Sequence, residues 1–186
     1  FIPTDNLIIA VHSEEGTLFE KDTLSVIEEL TDKSWTIPYS VRVDSLTNYS
    51  YVQSIRDDLI VEPFIEDPQN KTNAFLERRQ DIVSSEDIIY KSLISEDKRT
   101  SVVSIIVDPP GPNKEDQNSE LIDYILGFIE PIKDSNKNLD IRLLGNPYLD
   151  YISPRIVKSE MPVVMPLMML AHIVYPKIDK EVATYS

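Results

Sequence analysis

Cysteine is absent from the 186 residues, and glycine, histidine and tryptophan number only four, two and one. The missing cysteine removes disulfides, thiolate nucleophiles and zinc-thiolate sites together. It does not fix the compartment, because extracytoplasmic domains also do without cysteine. The glycines, Gly16, Gly111, Gly127 and Gly145, stand alone. A phosphate-cradling loop or a dinucleotide fingerprint needs them clustered, so neither is present. The histidines are His12 and His172. A Ser-His-Asp triad needs a histidine held by a carboxylate beside a serine, and no Gly-x-Ser-x-Gly elbow occurs. No basic and apolar leader opens the chain at Phe1-Ile-Pro-Thr-Asp5, and Phe1 is not Met. The sequence is therefore expected to be a piece of something longer.

Acidic charge dominates what is there. The formal net charge is -14 and the pI about 4.5, so the surface repels phosphate backbones and no nucleic acid is expected as a partner. Anionic lipid headgroups are repelled as well. Contents of 41% hydrophobic and 27% charged residues argue against disorder throughout. The length suits one domain, or two small subdomains sharing a core. The paired acids Glu14-Glu15, Glu28-Glu29 and Asp57-Asp58 diverge on a regular element, which favours solvated faces over a metal or a glycosidase dyad. No metal and no cofactor is expected. Asn48-Tyr-Ser50 and Asn70-Lys-Thr72 match the glycosylation acceptor pattern, a short pattern that often arises by chance.

In chain order, Asn6 to His12 is an apolar run suited to a central strand with both faces covered. Asp22 is placed to cap a helix whose stripe is Leu24, Ile27 and Leu30, with Glu28 and Glu29 outside it. Ile37-Pro-Tyr ends that region. Val41 and Val43 then face one way and Arg42 and Asp44 the other. Residues 50–98 read as an inserted helical and loop segment. Within it Asp57 to Glu62 suits a short strand, Glu66 to Thr72 a loop, and Ala74 to Gln80 and Asp87 to Leu93 short helices. Ser84 and Asp87 are spaced for a capping box. Thr100 to Val107 is a β-branched strand expected to be buried on both faces. Asp108 to Asp116 breaks regular structure with three prolines and a glycine. Leu121, Ile125, Phe128, Ile129 and Ile132 form a helical stripe, with Pro131 distorting or ending its last turn. Leu139, Ile141 and Leu143 alternate with Asp140 and Arg142 and stop at Gly145-Asn-Pro.

The order strand, helix, strand, insertion, strand, helix, strand predicts an α+β fold. A βαββαβ order closes most simply as a ferredoxin-like sandwich, with a helical insertion between strands 2 and 3. This occupies residues 1–147. Residues 148–186 form a C-terminal helical segment. Tyr148 to Glu160 reads as a helix interrupted by Pro154, and Pro162 to Tyr175 is strongly apolar but shorter than the roughly 20 residues a membrane span needs.

Val43-Asp-Ser-Leu-Thr-Asn48, followed by Asp58-Leu-Ile-Val-Glu-Pro63, resembles the first periplasmic porter domain of RND superfamily exporters in the MMPL-like branch. Those domains carry a strand ending in Val-x-Ser-Leu-Thr-Asn and then an Asp-Leu-x-Val-Glu-Pro segment. Lys91 to Asp97 resembles the family's Leu-x-Ser-x-Asp step, and Glu160 with Pro166-Leu167 resembles its approach to the second transmembrane helix. The likeness runs from Asn6 to about Leu170. It implies a ferredoxin-like porter subdomain in the cytoplasmic (inner) membrane protein of a bacterium or archaeon, facing the periplasm. It further implies outward, proton-driven movement of lipids or other hydrophobic compounds. The implied partners are that substrate, a companion porter domain, the protein's own transmembrane helices and possible further copies of the chain. Residues 161–175 would be the first turns of a membrane helix, cut off or joined to other sequence.

Tyr49, Tyr51, Phe64, Tyr148 and Tyr151 flank turns and strand ends. They are the candidates for lining a substrate cleft, against the plainer role of packing at the core edge. No catalytic residue is assigned. The competing reading is a stand-alone ferredoxin-like module that binds a protein or a small apolar ligand. A hydrolase is a weaker third, and requires a serine hydroxyl within about 3 Å of His12.

Overall fold

The computed structural model describes residues 5–55, 58–86, 89, 92–110, 114–158, 161–162 and 165. The chain divides into two units, Phe1–Leu149 and Asp150–Ser186. In the first, the order is β1 (Asp5–Ser13), α1 (Lys21–Trp35), β2 (Ser40–Asp44), β3 (Ser50–Ile55), β4 (Asp58–Pro63), a 3-10 turn (Pro68–Asn70), α2 (Asn73–Val83), β5 (Thr100–Val107), α3 (Lys114–Ser135) and β6 (Leu139–Gly145). The result is α+β, with a four-stranded sheet in the order β2-β5-β1-β6 and a separate β3-β4 hairpin. Every pairing in both sheets is antiparallel.

Period-2 alternation decides which side of the sheet is core. Leu7, Ile9 and Val11 of β1 pair with Ile105, Val103 and Ser101 of β5 on one side, and with Gly145, Leu143 and Ile141 of β6 on the other. The side chains of this face are buried. α1 and α3 lie against the sheet and touch each other, so they cover the same face. They contribute Leu24, Ile27, Leu30, Leu121, Ile122, Ile125 and Ile129, all buried. Each such side chain stabilises the fold by about 1.5–3 kcal/mol.

The opposite face corrects an expectation. β1 and β5 were expected to be covered on both faces, yet Ile8, Ala10, His12, Val102, Ser104 and Ile106 are partly exposed. Two helices on one side of an antiparallel sheet leave the other side open. β-branched Val102 and Ile106 satisfy the strand's backbone preference there without full burial. At the sheet's two edges this face carries Arg42 with Asp44 and Asp140 with Arg142, paired at 2.7 and 2.6 Å.

Several boundaries also shift. α1 begins at Lys21 with Glu20 as its N-cap residue, and no side chain caps it; Asp22 lies in the first turn instead. Val41 does not share a face with Val43: a bulge between Ser40 and Arg42 leaves Val41 57% exposed and Val43 2% exposed. α3 starts at Lys114, within the expected break, and runs past Pro131 to Ser135. Pro131 removes one backbone donor without ending the helix. Phe128 is only partly buried, and its ring meets Tyr124 edge-on at 6.2 Å. Residues 146–158 are helical, so Pro154 does not interrupt them. Ser84 is the C-cap residue of α2, while Asp87 of the expected capping box, most of the helix at 87–93, Glu160 and most of the apolar run after Pro162 lie outside the described residues.

The insertion is the largest difference, because it is built on a hairpin as well as a helix. β3 and β4 pair from Ser50↔Pro63 to Ile55↔Asp58. The 3-10 turn ties the insertion back to α1. Lys21 Nζ donates to the Gln69 carbonyl at 2.9 Å, Gln69 Nε2 donates to Asp22 at 3.1 Å, and the Asp67 backbone N–H donates to Glu28 at 2.7 Å. Glu28 is therefore a fastening point rather than a purely solvated charge.

Gly145 terminates β6 at a φ of +127°, and a Cβ there would lie 2.3 Å from the Asn6 carbonyl oxygen. Gly127, in α3, has nothing within 4 Å of its Cβ position. Gly145→Ala should therefore cost at least about 2 kcal/mol in urea denaturation. Gly127→Ala should instead stabilise by about 0.5–1 kcal/mol. Equal midpoints for the two variants would contradict the close approach at Asn6.

Candidate functional site

The Ser45-Leu-Thr-Asn48 turn joins β2 to β3 and is closed by its own side chains. Asn48 Oδ1 accepts from the Ser45 backbone N–H at 2.8 Å, and Asn48 Nδ2 donates to the Val43 carbonyl at 2.8 Å. The buried Thr31 hydroxyl of α1 lies 2.9 Å from that of Ser45 and 3.2 Å from that of Thr47. Leu46 is fully buried between these polar residues. The motif's side chains thus hold a turn against a helix. They are placed for structure, and they set where β3 begins.

From that turn β3 and β4 project next to α2. Thr72 caps α2 by accepting from the Phe75 backbone N–H at 3.3 Å. Leu76, Arg79 and Val83 recur at helical spacing and are buried. Arg79 is the anomaly in that stripe, a guanidinium only 4% exposed. Its Cζ lies 4.8 Å from the Tyr51 ring centroid, 5.2 Å from Phe64 and 4.8 Å from Phe75. Its Nη2 donates to the Glu62 carboxylate, whose same oxygen accepts from Gln53 Nε2 at 2.6 Å. Burying a cation costs several kcal/mol. The counter-ion and three aromatic faces, each contributing roughly 0.5–2 kcal/mol, offset that cost. Arg79 Nε has no hydrogen-bond partner in its buried position.

The hairpin has two unlike faces. Tyr51, Gln53, Ile60 and Glu62 pair across the strands on the side that meets α2. Val52 and Val61 pair on the other side, where Leu59 also lies, and these three are exposed. Between the α2-facing side and α2 lies a cleft of about 240 Å³ lined by Gln53, Ile60, Phe75, Arg78 and Ile82 together with the Arg79–Glu62 pair.

Of the five aromatic candidates, three come together. Phe64 is fully buried and meets Tyr49 and Tyr51 edge-on, at 6.5 and 5.6 Å. Tyr148 and Tyr151 lie in the helical stretch 146–158, on either side of the division between the two units. In the second unit the Arg155 guanidinium stacks 3.5 Å from the Tyr151 ring centroid and donates to the Tyr151 carbonyl. Sequence reasoning missed Arg79, Glu62 and Phe75. The signal was available: Phe75 and Arg79 are one helical turn apart, and Arg79 falls on the stripe of Leu76 and Val83.

His12 Nδ1 lies 2.9 Å from the Thr100 hydroxyl, so the hydroxyl beside it belongs to threonine rather than serine. Three aspartates are held below the ordinary value of 3.8: Asp97 by the Ser95 hydroxyl, Asp134 by Lys137 and Asp140 by Arg142. A depressed carboxylate stabilises the fold above its unfolded pKa, and that contribution is lost as pH falls through the lowered value. All three sit on the surface, so the effect on stability is small.

Two outcomes are expected. Glu62→Leu should cost about 3 kcal/mol, because it strands the Arg79 charge, while Glu62→Leu combined with Arg79→Met should cost less than Glu62→Leu alone. Urea denaturation measures this, and additive losses would show that the pair is not coupled. Arg142→Ala should move the Asp140 titration, read by NMR, up towards 3.8. An unmoved Asp140 would rule out the Arg142 hydrogen bond as the cause.

No protein-family model matches the chain, and no curated protein matches it.

Proposed function

We propose that this chain is a ferredoxin-like porter domain of a proton-driven RND/MMPL-like transporter that exports lipids or other hydrophobic compounds. It would stand on the periplasmic side of the cytoplasmic membrane of a bacterium or archaeon. The observation that carries the reading is the sheet order β2-β5-β1-β6, with α1 and α3 on one face and an insertion after β2. With the hairpin and α2 set aside, that is the order 2-3-1-4 that two βαβ halves produce when they interlock. A fold does not carry a function by itself. The transport part rests on Val43 to Asn48 and Asp58 to Pro63, where the resemblance lies.

In this reading the domain performs no reaction of its own. The acids that couple proton flux to export belong to transmembrane helices, so none is assigned here. No helix among the described residues is long and apolar enough to cross a membrane. The domain's work is to shape a path for substrate and to rock as a rigid body against its companion porter domain. Tyr49, Tyr51 and Phe64 form an aromatic cluster that packs behind the cleft, with Tyr51 and Phe64 against the Arg79 guanidinium. The exposed Val52, Leu59 and Val61 supply a contact surface for the companion domain or a neighbouring subunit.

That same apolar hairpin face favours the second reading, a stand-alone interaction module. Cell fractionation separates the two. Produced from its full coding sequence, the protein should remain with carbonate-washed membranes, and protease added to spheroplasts should cut this domain. Recovery in the soluble fraction would eliminate the transporter reading and favour the module.

A further inference from the structure

We infer that the cleft between the hairpin and α2 binds a small organic carboxylate with an apolar body. The inference stands on the cleft's own chemistry and holds whether or not the chain belongs to an exporter. At about 240 Å³ the space equals about eight water volumes, enough for a molecule of roughly eight to ten non-hydrogen atoms. Ile60, Phe75 and Ile82 give it an aliphatic and aromatic wall. Two arginines line it, the exposed Arg78 and the buried Arg79.

Charge selects the ligand. Arg78 and Arg79 contribute two positive charges and Glu62 one negative, which leaves a single positive charge within a chain whose net charge is -14. A monoanion balances that charge. A dianionic phosphate would bring its second charge against Glu62, and a cation would meet both arginines. Arg79 is already paired with Glu62, so Arg78, exposed at the cleft, is the cation left to a ligand. A carboxylate accepts charge-assisted hydrogen bonds from a guanidinium, and its two oxygens can take the fork of Arg78. Gln53 holds Glu62 through its side-chain amide, which keeps the resident carboxylate on Arg79 Nη2.

The test is an NMR titration of the 186-residue chain with hexanoate, with hexanol, hexylamine and inorganic phosphate as comparisons. Saturable amide shifts are expected with hexanoate at Gln53, Ile60, Phe75, Arg78 and Ile82. Arg78→Gln should weaken the affinity about tenfold. Ile60→Asp, at a position 41% exposed and therefore tolerant of charge, should abolish the shifts. Spectra of both variants report whether they remain folded. Equal binding of hexanol, stronger binding of phosphate, linear shifts scattered over the surface, or full affinity in folded Arg78→Gln would each overturn the inference.

Discussion

The double pairing of β1 is the constraint on which the rest of the first unit depends. β1 is hydrogen-bonded along both edges, to β5 and to β6, and its buried residues Leu7, Ile9 and Val11 run down the centre of the core. A one-residue slip would turn that row to the open face. Gly145 guards the register, since only a residue without a Cβ can pass so close to Asn6. α1 and α3 can share one face because β1 fixes the strands above and below it.

Much of this was legible. β5 follows from its β-branched run and β6 from apolar residues at period 2, each bounded by turn residues, and α1 follows from Leu24, Ile27 and Leu30. The places where reading failed have distinct physical causes. A run such as Val102 to Val107 cannot show whether one face or two will be covered, because β-branched residues suit both outcomes. The bulge at Val41 comes from pairing with a strand sixty residues later, which no local pattern encodes. The β3 strand, Ser-Tyr-Val-Gln-Ser-Ile, alternates, but its apolar Val52 points outwards, so its pattern is that of a hairpin packed by only one side.

The candidate site was legible in part. Tyr49, Tyr51 and Phe64 were singled out as aromatics at strand ends, and they do cluster. What organises them, the Arg79 guanidinium, belongs to a residue type that sequence patterns assign to solvent. Its burial depends on four partners, Tyr51, Glu62, Phe64 and Phe75, drawn from three segments of chain. The Ser45 to Asn48 turn, by contrast, spends its polar groups on itself and on Thr31. Its recurrence in a family would be explained by architecture, with no need of a chemical role.

The antiparallel placement of β1 between β5 and β6 also governs the order of events during synthesis. β1 is translated before both strands that cover its edges, which come after residue 99. Until then its apolar side chains have no sheet to enter. The hairpin with α2 needs only neighbouring residues and is free to form first. The nascent chain therefore carries a sticky, unpartnered segment until β5 and β6 have been made, and exposed apolar surface of that kind is prone to aggregate.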